Sequence, residues 1–289
     1  MRRTSITFTV FVSLVVSHET RPSAADPKIS EARKNESGCL AHAVQSVFQA
    51  GTTEIRVLLP DRLENGKKYK VLYVLPVEAG GGQRWGKAME EVRSHNVHNQ
   101  HQLICVYPTF SHLPWYADHP TNQQIRQESY FVKVVVPFVE RTYPAQRDSG
   151  GRLLVGFSKS GWGAFSLLLR HPDLFGKAAA WDAPLDMDAP NRFGMQGIFA
   201  TQENFLQYQI TALLKREADK VRNETRLIHL GYDNFRNHHL AIENLMNDLK
   251  ILHVFRDGPK RAHAWNSGWL NEAVQLLMQQ ENDVTKGPN

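Results

Sequence analysis

Apolar and polar positions follow two rhythms along this chain. Between 40 and 60 every second position is apolar, in AHAVQSVFQ and again in TEIRVLLP. That period of two predicts a pair of antiparallel strands joined near Ala50-Gly51. Further on, the runs KVLYVLP (70–76), LICVYPTF (103–110) and RLLVGFS (152–158) are almost continuously apolar, the mark of strands covered on both faces. AAAWDAP, TRLIHLG (225–231) and ILHVFRDG (251–258) complete the series. Helical spacing occupies the intervals: Trp85 to about His95, Gln123 to Tyr143 with Pro137 as an internal break, Gly161 to Arg170, roughly 205–222, 236–249, and the closing GWLNEAVQLLMQQ. Strands alternating with helices predict an α/β fold, a mostly parallel, doubly wound sheet with antiparallel N-terminal edge strands. No Pro/Gly/Ser-rich linker divides the middle, so one domain over 40–282 is expected.

The two ends read differently. In MRRTSITFTVFVSLVVSHETRPSAA, two arginines precede an apolar run from Ile6 to Val16, and small residues close the segment. That order predicts a secretory signal peptide over 1–25 and an exported protein, periplasmic or extracellular. Polar residues 26–39 read as a linker and 283–289 as a flexible tail. No other stretch approaches the 18 apolar residues of a membrane span.

Composition narrows the partners. The 289 residues carry 34 Lys+Arg against 29 Asp+Glu, a net of +5, of which the first 25 residues hold +2. Lys67, Lys68 and Lys70 form the densest basic cluster and read as a solvated turn, so no nucleic-acid partner is expected. Cys39 and Cys105 are the two cysteines. Cys105 falls inside a buried strand, and two unpaired thiols are expected.

The chemistry concentrates in LLVGFSKSGWGAF (153–165). A buried strand enters Gly156-Phe157-Ser158-Lys159-Ser160-Gly161 and a helix follows. This is the context of a nucleophile elbow, in which a sharp turn lifts a serine oxygen to the C-terminal edge of the sheet. Ser160 is a competing hydroxyl without small residues on both sides. A serine nucleophile needs a base and the base an orienting acid. His263, in the loop after the last strand, is the preferred base. His171 reads as packing or capping, His229 and His253 as sheet-face histidines, and His238 and His239 as solvated positions at a helix start. Asp233, in GYDN after the penultimate strand, is the preferred acid. Asp182 and Asp186 are the alternates, and Asp257 a fourth. Two backbone N–H groups would complete an oxyanion hole: Lys159, which follows the nucleophile, and Val77 or Glu78 after KVLYVLP, because Pro76 cannot donate. Trp115, Tyr116, Trp181 and Trp265 are candidates for a substrate pocket. No metal or organic cofactor is expected.

These segments resemble the esterase D-type branch of the α/β hydrolases, which includes S-formylglutathione hydrolase, acetylxylan and feruloyl esterases and the mycolyltransferases. GFSKSGWGAF (156–165) is similar to its elbow, with Ser160 where glycine is usual. RAHAWNSGW (261–269) resembles its histidine segment, PWYADHP (114–120) its tryptophan-containing loop, and GYDN suits its acid. The family's Leu-His-Gly is Leu75-Pro76-Val77 here. The resemblance spans roughly 42–280. It implies an α/β-hydrolase fold and a serine esterase acting on small-molecule or carbohydrate esters through an acyl-enzyme. An acyltransferase on the same residues, or a binding module with weakened catalysis, are the other expectations.

Overall fold

The computed structural model describes residues 26–231 and 233–279. The expected signal peptide and the tail lie outside the described residues. Among those described, ten strands form one sheet: β1 Lys28–Ile29, β2 Arg33–Lys34, β3 Leu40–Gln45, β4 Thr52–Leu58, β5 Lys70–Val74, β6 Leu103–Pro108, β7 Arg152–Phe157, β8 Lys177–Trp181, β9 Leu227–Leu230 and β10 His253–Arg256. Their order is β1-β3-β4-β6-β5-β7-β8-β9-β10, with β2 also on β3. Strands β5 to β10 run parallel, and β1 to β4 pair antiparallel. This is the α/β-hydrolase arrangement. β5 has β6 on one side and β7 on the other, so the winding reverses there, and clefts in such sheets open at the carboxyl ends beside a reversal. Segment 26–39, expected as a linker, adds two short strands to the edge instead.

The alternation in β3 and β4 buries His42, Val44, Ile55 and Val57 and leaves their neighbours more exposed, as a strand covered on one face requires. The continuous runs of β6 and β7 are buried throughout. Two hydrophobic cores cover the two faces. One centres on Trp115, Tyr130, Phe131, Trp162 and Phe165, the other on Phe157, Trp181, Trp265 and Trp269.

Helix boundaries differ from the sequence reading where a local cause outweighs periodicity. The predicted 123–143 helix begins at Gln127 and widens into a π turn over Phe131–Val135, two residues before Pro137. That proline lacks the N–H that a regular α turn would use. The predicted 205–222 helix is two helices, Gln202–Leu206 and Ile210–Val221. Cys39 and Cys105 are buried free thiols. β4 separates them: Val57 pairs with Leu40 and Leu58 with Cys105. Two strand spacings, roughly 9–10 Å, exceed the ~4.4–6.8 Å between the Cα atoms of a disulfide.

Candidate active site

Ser158 directly follows β7 and begins the helix Ser158–Arg170 without an intervening loop. Its φ of 51° is left-handed, a conformation that a non-glycine residue holds only under constraint. Two features supply it. Gly156 has no Cβ where one would collide with the Ser160 carbonyl. Ser160, in place of a second small glycine, turns its hydroxyl back on the strand end. Its Oγ accepts from Phe157 N–H at 3.0 Å and donates to Phe157 C=O at 2.9 Å. The serine that stands where glycine is usual thus caps the first helical turn, and it is fully buried.

A histidine and a carboxylate meet from two loops at the same sheet edge. His263 Nδ1 lies 2.6 Å from Asp182 Oδ2. Asp182 directly follows β8, is almost fully buried, and also holds a left-handed φ of 39°. Phe235 N–H donates to its Oδ1 at 2.9 Å and Asn234 Nδ2 to its Oδ2 at 3.1 Å. Phe235 caps the helix Arg236–Asp248, so the carboxylate faces the positive end of that helix. The imidazole is walled by the rings of Trp85, Phe157 and Phe235, at centroid distances of 4.9, 5.0 and 6.0 Å.

The acid expected from sequence was Asp233, and here the geometry differs. Asp233 turns towards Lys260, 3.5 Å away, and accepts from Asn234 at 3.2 Å. Its loop serves the site differently, by supplying the two donors that hold Asp182. Asp257 pairs with Arg236 at 2.6 Å. The N–H of Asp186 donates to His238 Nδ1 at 3.1 Å.

Ser158, Lys159 and His263 line one cleft of about 900 Å³, with Glu78, Trp85, Phe193, Phe235 and Asp233 among its other walls. The proposed pocket aromatics are elsewhere. Trp115, Tyr116, Trp181 and Trp265 are buried in the two cores. Aromatic residues on the cleft are Trp85, Phe193 and Phe235. Phe193 carries a readable signal, because it precedes a glycine in an irregular Met/Pro/Asn-rich stretch. Its φ of 53° holds a half-exposed ring at the rim, against Phe235 at 5.7 Å. The Lys159 side chain is on the cleft wall, and burial lowers its pKa, with Glu78 opposing the shift.

Tyr116, although not a pocket residue, touches the site from beneath. Its hydroxyl donates to Pro76 C=O at 2.6 Å, and Gly163 of the elbow helix lacks the Cβ that would strike its ring. In a trans peptide the C=O and N–H point oppositely. Holding the Pro76 carbonyl therefore directs the Val77 N–H away from Tyr116. Lys159 N–H is in the first helical turn, where no intrahelical acceptor exists.

Among the remaining histidines, His171 Nε2 is 2.7 Å from Glu128, and His239, expected to be solvated, is fully buried. No helix of the described residues is long and apolar enough to cross a membrane.

Sheet order and elbow define an α/β hydrolase. The family model named Esterase, described as "Putative esterase", matches residues 49–250, and the chain belongs to that family. Esterase Rv1288 of Mycobacterium tuberculosis (strain ATCC 25618 / H37Rv) is 24% identical over 137 residues, 46% of this chain and 29% of that protein. The chain thus spans less than a third of the length of that relative. S-formylglutathione hydrolase FrmB from Staphylococcus aureus superposes with a TM-score of 0.67 at 16% identity, covering 83% of this chain and 98% of that one. A ferulic acid esterase gives 0.66 at 20% identity, covering 87% and 96%. Both likenesses concern the fold.

Proposed function

We propose that this protein is an exported serine esterase that cleaves carboxylic esters, with acyl groups on carbohydrates as its substrate class. One observation carries the reading: a strained serine at the strand–helix turn shares a cleft with a histidine whose far nitrogen is held by a buried carboxylate. Ser158 Oγ attacks the acyl carbon while His263 Nε2 takes its proton. Asp182 keeps Nδ1 protonated and offsets the charge of the imidazolium. The tetrahedral oxyanion accepts from the backbone N–H groups of Lys159 and Val77. His263 returns the proton to the departing alcohol, and water, activated the same way, releases the acyl group from Ser158. The aromatic rim of Trp85, Phe193 and Phe235 receives the apolar part of the ester. Export follows from the order of charge, apolar run and small residues in 1–25.

The test is labelling of the purified protein with a fluorophosphonate, beside Ser158→Ala and His263→Ala, followed by turnover of p-nitrophenyl, acetyl-sugar and hydroxycinnamoyl esters. Labelling should vanish in Ser158→Ala and fall sharply in His263→Ala. A folded wild type that neither labels nor turns over any ester would refute the reading.

A further inference from the structure

On the face of the sheet that also packs the elbow helix, three side chains converge outside the cleft. β9 and β10 are adjacent and parallel, with His229 opposite Phe255 and His253 opposite Leu227. The two histidines are therefore two positions apart along one face. Both reach Glu243 on the helix Arg236–Asp248. His253 Nε2 is 2.7 Å and His229 Nε2 3.3 Å from the same oxygen, Oε2, and the three atoms lie within 4.8 Å of one another. Each remaining donor or acceptor is already engaged. His253 Nδ1–H donates to Ile251 C=O at 2.7 Å, His229 Nδ1 is 3.2 Å from His239 Nδ1, and Glu243 Oε1 accepts from Asn247 at 3.0 Å. A backbone carbonyl on the far nitrogen and an amide on the far oxygen are the partners that orient metal-binding histidines and carboxylates.

We propose that His229 Nε2, His253 Nε2 and Glu243 Oε2 bind a first-row divalent cation, Zn²⁺ foremost, with water in the position that the partly exposed Glu243 leaves open. Two imidazoles and one carboxylate, carried on two strands and a helix, are a ligand set suited to that ion.

The site is tied to the loop of Asp182 through proton positions. Ala183 N–H donates to His239 Nε2 at 2.9 Å, so His239 carries its proton on Nδ1 and donates to His229 Nδ1. That leaves the His229 proton on Nε2, facing Glu243. A cation needs the Nε2 lone pair, which moves the His229 proton to Nδ1 and the His239 proton to Nε2. Ala183 N–H, one residue from Asp182, then meets a donor. Occupation of the cluster and the Ala183 hydrogen bond exclude each other, so the cation acts as an inhibitor of ester turnover. This second step rests on the proposed esterase reading; binding itself does not.

Calorimetric titration of the full chain with Zn²⁺, and visible absorption with Co²⁺, test the site. One ion per chain is expected. His253→Gln and Glu243→Gln, each checked for folding by thermal unfolding, should each weaken affinity by more than the roughly 10–100-fold typical of a lost outer partner. Zn²⁺ should slow wild-type turnover and leave His253→Gln unaffected. Absence of binding to folded wild type, or binding unchanged in both variants, would show that protons alone hold the cluster and overturn the site. Stoichiometric binding without slower turnover would overturn the link to Asp182.

Discussion

Replacing Asp182 by Asn tests the assignment of the acid at a single atom. Asparagine keeps the size of the side chain and loses one acceptor. Two groups compete for the oxygen that remains: Phe235 N–H at 2.9 Å, and His263 Nδ1 at 2.6 Å, whose acceptor also takes Asn234. With the oxygen kept under Phe235, the new NH₂ faces His263 Nδ1. The imidazole then carries its proton on Nε2, where it cannot accept one from Ser158. Losing the tautomer in this way lowers kcat by about 10⁴ in a serine triad, some 5 kcal/mol at 1.36 kcal/mol per decade. KM should change little, because Asp182 is almost fully buried and does not line the cleft. Asp233→Asn is the matched control: that side chain meets Lys260 at 3.5 Å and is a quarter exposed, so a few-fold change at most is expected. Steady-state turnover of a p-nitrophenyl ester, with thermal unfolding to confirm folding, decides between them. A large loss in Asp233→Asn beside an active Asp182→Asn would refute the reasoning.

Three further expectations rest on single buried contacts. Tyr116→Phe frees the Pro76 carbonyl and with it the Val77 N–H; removing an oxyanion donor costs ~10²–10³ in kcat, so a loss approaching that range with little change in KM is expected, and unchanged kcat would separate Tyr116 from the oxyanion peptide. Gly163→Ala should destabilise the protein by about 1–3 kcal/mol in urea unfolding, although alanine is the better helix former, because its Cβ strikes the Tyr116 ring. Glu128 is buried, which alone would raise its pKa, but hydrogen bonds from His171 and Arg170 outweigh this and hold the carboxyl down at about 2, against 4.5 when unfolded. Its contribution, on the order of 3 kcal/mol, is present above pH 4.5 and lost as the pH falls towards 2. Glu128→Gln should flatten the stability curve in that window, and a variant with the wild-type acid slope would contradict this account.

What was legible in the sequence was whatever depends on local order. Continuous apolar runs marked the central strands, and strand, small turn and helix in succession marked Ser158. The loop after the last strand pointed to His263. Choosing between Asp182 and Asp233 was not legible, since both follow parallel strands. What sets Asp182 apart in the structure is the pair of amides, Asn234 and Phe235, that reach back across the sheet edge to it from the neighbouring loop. The cleft aromatics were missed for a similar reason: aromatic character marks Trp115 and Trp181 as strongly as Trp85, and only packing shows which rings face inward. His239 looked solvated because it begins a polar helix, yet its ring is enclosed and accepts from Ala183 N–H. The edge strands of 26–39 are too short to give any periodicity.

Those two-residue strands matter for how molecules meet one another. Among the described residues, β3 is flanked on its outer side by β1 and β2 alone, through Lys28↔Gln45, Ile29↔Val44, Arg33↔Ala41 and Lys34↔Leu40. They occupy a row of amides that would otherwise invite another chain, and three of their four residues are cationic, as guarded sheet edges often are. A shortened chain beginning at Leu40 would retain the cleft, far across the sheet, and expose a six-residue strand. Its failing would be colloidal rather than chemical: self-association along β3, with each molecule still carrying an assembled site.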